Sequence, residues 1–206
     1  MLDLGINWID TAPSYGLSED RIGRAIASRR ASFTLSTKVG ESFENGLSRF
    51  DFSAEATSAS IERSLNRLRT NRIDIVFVHS NGDDEAILST GEVTSALRDA
   101  QSKRRIGRIG FSGKSLAGLR SAIEVGYEVL MVEFHPFDGS MRPILEEAAR
   151  RGVGVVIKKP LASGRAAPSQ AIPFALEAPS VASMAIGGLQ LKHFADHVRL
   201  ATEYDQ

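Results

Sequence analysis

Short apolar runs alternate with amphipathic stretches along almost the whole chain. Runs rich in isoleucine, valine and phenylalanine are typical of strands buried on both faces of a parallel sheet. They predict seven strands, at about 6–11, 33–39, 73–79, 106–112, 129–134, 153–159 and 183–188. Apolar residues at helical spacing predict seven helices between and after the strands, at about 18–29, 53–69, 92–102, 115–125, 141–151, 171–178 and 191–204.

Several residues mark where the predicted helices begin and end. Ser53 precedes an amphipathic run, where its hydroxyl can accept a hydrogen bond from a free amide of the first turn. Gly126 and Gly152 stand where helices should stop, because glycine readily adopts the left-handed conformation. No linker or low-complexity stretch interrupts the succession of strand–helix units.

A succession of strand–helix units predicts either a doubly wound sheet or a (β/α) barrel. Thr11–Gly16, after the first strand, is not the glycine-rich turn of a dinucleotide-binding sheet. Candidate chemical groups follow several different strands, which is typical of a barrel whose active site is built from its βα loops. We favour the barrel, although a closed barrel has eight strands and seven are predicted.

Composition narrows the classes of partner. The chain has 206 residues, enough for one substantial core, with 25 acidic and 25 basic side chains and no cysteine. This balance gives no support for a nucleic-acid or membrane partner, and the lack of cysteine excludes disulfides and thiolate chemistry. No apolar stretch is long enough for a membrane helix and no signal peptide is recognised, so we expect a cytoplasmic protein. With four scattered histidines, we predict no metal site.

Four polar side chains stand at or near the ends of predicted strands. Asp10 and Tyr15 follow the apolar run of the first strand, Lys38 that of the second and His79 that of the third. Because the carboxyl ends of consecutive parallel strands lie on one rim, we expect these groups to converge in a proton-transfer site. Each one alone also suits a structural role, such as a strand-end cap or a hydrogen-bonded histidine. Their joint occurrence favours catalysis.

The residues Gly5–Gly16, GINWIDTAPSYG, resemble the signature of the aldo-keto reductase family. Ser36–Lys38, Ile73–His79, Ile109–Ser112 and Lys159–Gly164 continue the resemblance in the family's order, so that it covers nearly the whole chain. It implies an α/β fold of the (β/α)8 TIM-barrel type that lacks the first strand–helix unit. Residues 1–206 would then form a single barrel domain that starts at the equivalent of the second barrel strand.

The resemblance also implies an activity and four catalytic roles. The family reduces aldehydes and ketones to alcohols with NADPH, less often with NADH. Tyr15 would be the general acid that protonates the carbonyl oxygen, and Lys38 would stabilise the phenolate that remains. Asp10 would hold Lys38 charged and in place. His79 would donate a hydrogen bond to the substrate oxygen or share the proton relay.

The cofactor residues that the resemblance implies lie later in the chain. Ser112 would bind the nicotinamide carboxamide, together with Gly113, which stands where an asparagine is expected. Met131 replaces a glutamine that would hold the same group. Leu161 and Ser163 suit the loop that surrounds the pyrophosphate.

The last helix and the turn before it would receive the adenosine end. Gly188 is either a phosphate contact or simply part of a strand-to-helix turn. His193 and Asp196 stand where many relatives carry an arginine and an acidic residue for the 2′-phosphate. Because the arginine is absent, the choice between NADPH and NADH stays open.

Two other interpretations stay open. The chain could be a shortened barrel that no longer catalyses and acts as a binding or scaffold protein; two exposed strand edges would then favour self-association. Alternatively, it could be a barrel enzyme of another type, such as a lyase or isomerase that uses the same lysine and histidine.

Overall fold

The computed structural model describes residues 1–204, which divide into two compact units. One unit is Trp8–Glu128, and the other joins Met1–Asn7 to the chain from Val129 onward. Parallel strands alternate with helices in both units, so the fold is α/β, as the sequence predicts. Within residues 1–204, no helix is long and apolar enough to cross a membrane.

The unit Trp8–Glu128 contains four parallel strands, a hairpin and five helices. In chain order these are β1 (Trp8–Asp10), α1 (Ser18–Ile26), β2 (Thr34–Val39), β3 (Glu41–Glu44), β4 (Leu47–Phe50), α2 (Ala54–Leu68), β5 (Ile73–His79), α3 (Asp84–Thr90), α4 (Glu92–Ser102), β6 (Ile106–Ser112) and α5 (Leu116–Glu124). The parallel strands lie in the order β1-β2-β5-β6, so their carboxyl ends share one edge.

These central strands are continuous apolar runs because both of their faces are buried. In β5, Val76, Phe77 and Val78 have no exposed surface. Phe77 lies opposite Gly110 of β6, and a Cβ atom on Gly110 would come within 2.4 Å of the phenylalanine ring. The glycine therefore makes room for the large side chain of the neighbouring strand.

A two-stranded antiparallel hairpin, β3–β4, follows β2 directly. Glu41 pairs with Phe50 at its base, and Asn45 and Gly46 form the turn. Both turn residues have positive φ, 53° and 81°, as a two-residue type I′ hairpin turn requires. Asparagine and glycine tolerate this conformation best, which fixes the turn at this point.

The second unit contains three parallel strands in the order β7-β8-β9. Its strands are β7 (Val129–Glu133), β8 (Gly154–Lys158) and β9 (Val181–Ala185), and its helices are α6 (Arg142–Arg151), α7 (Pro168–Leu176) and α8 (Leu191–Tyr204). The register between β8 and β9 shifts at Val155 and Val156.

The observed elements match the predicted ones with small differences and two additions. Ser53 caps α2 by accepting a hydrogen bond from the Ala56 amide at 3.2 Å, and Gly152 ends α6 with a φ of 67°. The strand predicted at about 183–188 is Val181–Ala185, and the helix predicted at about 171–178 starts at Pro168, which suits a first helical position. The hairpin β3–β4 and helix α3 were not predicted.

Candidate active site

A buried ion pair joins the ends of β1 and β2. The Lys38 side chain is 2% exposed, and its Nζ donates to Asp10 Oδ2 at 2.6 Å and to the Thr11 carbonyl at 2.9 Å. Ser36 donates to the other Asp10 oxygen at 2.6 Å. The carboxylate is thus held from both sides, and it supplies the negative charge that a buried ammonium needs.

Tyr15 lies above this ion pair, in the loop between β1 and α1. Its ring centroid is 4.8 Å from Lys38 Nζ, so the ammonium faces the aromatic ring. The side chain is 48% exposed, in contrast to the buried lysine beside it. The phenol is therefore open to a small molecule on one side and close to a fixed positive charge on the other.

His79, the last residue of β5, completes the group of four. Its ring lies edge-on to Tyr15, with 6.3 Å between the centroids and 88° between the planes. Its buried Nδ1 lies 2.7 Å from Oε2 of Glu41, a contact that is an ion pair when the imidazole is protonated. Glu41 belongs to the hairpin and had no role in the sequence analysis.

Strand register explains why four residues that are far apart in the chain meet here. Asp10 pairs with Ser36, Lys38 pairs with Phe77, and His79 pairs with Ser112. In parallel strands these positions all fall at the carboxyl edge, where the sequence analysis places them. The structure therefore brings together all four predicted catalytic side chains.

Further polar contacts fix the strand ends from behind. Trp8 donates its indole N–H to the Ser36 hydroxyl at 3.0 Å, and that hydroxyl in turn donates to Asp10. On α1, the buried Glu19 accepts a hydrogen bond from Thr37 at 2.7 Å. These contacts position Ser36 and Thr37, the two residues that precede Lys38 in β2.

Ser112 and Gly113 lie at the carboxyl end of β6, within the same unit as the four catalytic candidates. Ser112 is 1% exposed, and a Cβ atom on Gly113 would lie 2.8 Å from Leu119. The loop that follows is anchored by Asp84, a buried carboxylate at the start of α3. Asp84 accepts from the amide of Lys114 at 2.9 Å and from the amide and hydroxyl of Ser115, each at 2.8 Å.

Leu161 and Ser163 lie in the second unit, in the loop between β8 and α7. Leu161 packs against a small buried cluster of alanines, and Ser163 has a φ of 57°. Ala162 and Gly164 also have positive φ, 48° and 89°. The amides of Ala162 and Gly164 donate to the carbonyls of Lys159 and Leu161 at 2.9 and 2.8 Å, so the loop is held in this conformation by its own backbone.

The remaining predicted cofactor residues lie around α8. Gly188 is exposed in the turn before the helix, with the Phe194 ring 3.1 Å from where its Cβ atom would be. His193 and Asp196 are exposed on the helix itself. Burial, followed by the charge of His193, lowers the pKa of the neighbouring His197.

The sequence analysis did not identify two residues that contribute to the geometry of the candidate site, Glu41 and Asp84. Glu41 could have been found from Asn45-Gly46, which is a strong hairpin signal between alternating residues and places a strand at 41–44. Asp84 carries no comparable motif. Met131, in the place of the expected glutamine, is 2% exposed in β7, so this position provides no polar group.

The geometry defines what these groups can do chemically. A phenol beside a fixed ammonium can give up its proton, because the positive charge stabilises the phenolate. The imidazole beside the phenol can orient a polar atom of a substrate.

Comparison with known proteins places the chain among oxidoreductases. The model of the Aldo/keto reductase family matches residues 1–203. A solved structure described as an aldo-keto reductase from Pseudomonas aeruginosa is 40% identical, with a TM-score of 0.94 over 99% of this chain and 80% of that one. The chain thus has the fold of that protein, the predicted α/β fold of the (β/α)8 TIM-barrel type.

Two further relatives are more distant. A structure of an aldo-keto reductase from Bacillus halodurans in its holo form has a TM-score of 0.87 at 24% identity, over 99% of this chain and 82% of that one. L-galactose dehydrogenase from Arabidopsis thaliana is 30% identical over 172 residues, which are 78% of this chain and 53% of that protein. The chain spans about half of the length of the curated relatives it matches.

Proposed function

The chain belongs to the aldo-keto reductase family, and we propose that it reduces an aldehyde or ketone to an alcohol with a nicotinamide cofactor, with Tyr15 as the general acid. The observation that carries this proposal is the buried Lys38 ammonium, which lies 4.8 Å from the exposed Tyr15 ring and is held there by Asp10.

The proposed reaction accounts for the hydride, the proton and the charge that remains. When bound, a reduced nicotinamide would supply the hydride for the carbonyl carbon. The Tyr15 hydroxyl gives its proton to the carbonyl oxygen, so that the alcohol forms and a phenolate remains. Lys38 stabilises that phenolate, and Asp10 keeps the ammonium from turning away. A positioned acid of this kind typically contributes about 10²–10⁴ in rate.

The candidate cofactor-binding residues suit a nicotinamide cofactor only in part. Ser112 would bind the carboxamide together with Gly113, at whose position a side chain would collide with Leu119. The loop that contains Leu161 and Ser163 would bind the pyrophosphate. Met131 adds no polar group. We therefore expect the nicotinamide end to form fewer hydrogen bonds with this chain than it would if position 131 were a glutamine.

We propose NADPH as the reductant, with NADH as the competing choice. Gly188, His193 and Asp196 are exposed around the start of α8, where they can meet the adenosine end. A protonated His193 would favour a 2′-phosphate, and the adjacent Asp196 carboxylate would oppose it. Titration of the chain with each cofactor, followed by fluorescence of the single tryptophan Trp8, measures this preference directly.

The test of the proposed reaction is the consumption of NADPH with a panel of small aldehydes and ketones. We expect substrate-dependent oxidation of the cofactor by the wild-type chain, and a loss of about 10²–10⁴ in Tyr15→Phe. Tyr204→Phe, the same chemical change at another exposed tyrosine, is the matched control. Equal rates in wild type and Tyr15→Phe would show that the acid is a different group.

Two unpaired strand edges support a further proposal about partners. Among the described residues, β1 pairs with β2 alone and β9 pairs with β8 alone, so each strand has one open edge. Open edges offer free amide and carbonyl groups to another strand, and we propose that copies of the chain associate through them. Light scattering after size exclusion should give a mass above that of the 22.3 kDa chain; a monomer at all concentrations would contradict this.

A further inference from the structure

Glu41 is the residue at the candidate site that neither the sequence motifs nor the proposed reaction accounts for. It begins β3 of the hairpin, and its side chain is 14% exposed. Ser48, on the opposite strand of the hairpin, donates a hydrogen bond to Glu41 Oε1 at 2.7 Å. The other oxygen, Oε2, lies 2.7 Å from His79 Nδ1. The hairpin thus holds a carboxylate directly against the imidazole.

The two nitrogens of an imidazole cannot be treated as equivalent in such a contact. A carboxylate accepts protons in hydrogen bonds and has none to donate, so it favours a proton on the nitrogen that faces it. In neutral His79 that proton sits on Nδ1, and Nε2 then carries a lone pair. A neutral imidazole in this tautomer cannot donate a hydrogen bond from Nε2 to a carbonyl oxygen.

We propose that Glu41 is a positioning residue that fixes the tautomer of His79, so that His79 donates from Nε2 only as an imidazolium. This inference rests on the proposed carbonyl reduction, in which His79 donates to the substrate oxygen. The carboxylate supplies the counter-charge that makes the imidazolium favourable. Glu41 would therefore decide over which pH range the substrate is oriented for proton transfer from Tyr15.

The other charged and titratable groups around His79 do not cancel this effect. Tyr15 faces the imidazole ring edge-on and is neutral in its acid form. Lys38 Nζ lies 4.8 Å from the centroid of the Tyr15 ring, and its positive charge would oppose an imidazolium. However, Lys38 is paired with Asp10 at 2.6 Å, so the two charges largely offset each other at a distance. Glu41 places a carboxylate oxygen 2.7 Å from His79 Nδ1, close enough to act on the imidazole directly.

Two variants of Glu41 separate its charge from its shape. Glu41→Gln keeps the size of the side chain and removes the charge, whereas Glu41→Asp keeps the charge on a shorter side chain. Glu44→Gln makes the same chemical change at the far end of β3, where the side chain is exposed, and is the matched control.

The first readout does not depend on activity. The chain has four histidines, so His79 can be assigned in nuclear magnetic resonance spectra by comparison with His79→Asn. We expect the wild-type imidazole to carry its proton on Nδ1 at high pH. We expect Glu41→Gln to lower the midpoint of the His79 titration by about one pH unit or more, while Glu41→Asp and Glu44→Gln stay close to wild type.

The second readout is the pH profile of kcat/KM for a carbonyl substrate. Activity that needs an imidazolium is lost as pH rises through its titration, so Glu41→Gln should move the alkaline limb to lower pH by the same amount as the spectroscopic midpoint. A proton on Nε2 at high pH, or an unchanged His79 midpoint in Glu41→Gln, would overturn the role of Glu41. If the spectroscopic shift is found in a chain that reduces no carbonyl, the ion pair stands and the proposed function fails.

Discussion

Asp10→Asn removes the carboxylate that lies 2.6 Å from the buried ammonium of Lys38. Removing one partner of a buried ion pair typically costs about 3–5 kcal/mol, because the remaining charge stays buried. The asparagine oxygen can still accept one hydrogen bond, and the Asp10 side chain is 14% exposed in the wild type. We therefore expect the free energy of unfolding to fall by about 3 kcal/mol, at the lower end of that range.

Lys38→Met is the complementary change, and it should cost less. The Asp10 carboxylate is nearer to solvent than the ammonium and keeps its hydrogen bond from Ser36, so a loss of about 1–2 kcal/mol is expected. In the double variant no charge is left buried alone. The combined loss should be smaller than the sum of the single losses by about 1–2 kcal/mol.

Urea unfolding at neutral pH, followed by Trp8 fluorescence, measures all four proteins. Trp8 is a suitable probe because its indole donates to the Ser36 hydroxyl, which contacts Asp10. All three variants should also lose most of their turnover. Strictly additive stability changes would refute the idea that the ammonium depends on this carboxylate.

Three further predictions test other parts of the structure. Tyr15→Phe keeps the ring beside Lys38 and removes the hydroxyl, so turnover should fall about 10²–10⁴-fold while NADPH affinity stays the same; a fluorescence titration that shows weaker binding would contradict this. Asp84→Ala removes the acceptor of three hydrogen bonds from the loop after β6, so unfolding should become easier by about 3 kcal/mol and NADPH should bind more weakly; unchanged affinity would separate this loop from the cofactor. Burial raises the pKa of Tyr127 to about 12, whereas the pKa of a phenol in the unfolded chain is about 10. The free energy of unfolding should therefore fall between these pH values, by roughly 1.4 kcal/mol more per pH unit in wild type than in Tyr127→Phe. Urea unfolding at several pH values measures this difference, and the same pH dependence in both proteins would contradict the raised pKa of Tyr127.

The sequence predicts most of the strands and helices because their patterns are strong. The parallel strands are buried on both faces and therefore stand out as apolar runs such as Ile73–Val78, and α2 has both a cap at Ser53 and an amphipathic face. Helix α3 was missed because it has seven residues and lies directly before α4, separated from it by Gly91. The hairpin was missed although Asn45 and Gly46 are the residues that its turn requires.

The four catalytic candidates could be predicted because strand ends in a parallel sheet converge wherever the strands are adjacent. The role of Glu41 could not be predicted in the same way. It depends on a contact between the hairpin and the end of β5, with Glu41 Oε2 2.7 Å from His79 Nδ1, and such a tertiary contact leaves no local pattern in the sequence. The cofactor residues have the same difficulty, because loop conformation decides which backbone atoms are available.

The most direct test of the proposed reaction is the transfer of deuterium from the cofactor to the product. The wild-type chain is incubated with a carbonyl substrate and NADPH that carries deuterium at both hydride positions of the nicotinamide ring. We predict an alcohol with one deuterium on the former carbonyl carbon, and almost none of this product from Tyr15→Phe. Alcohol without the label, or no alcohol from a folded chain that binds NADPH, would contradict the assignment of this chain as a nicotinamide-dependent carbonyl reductase.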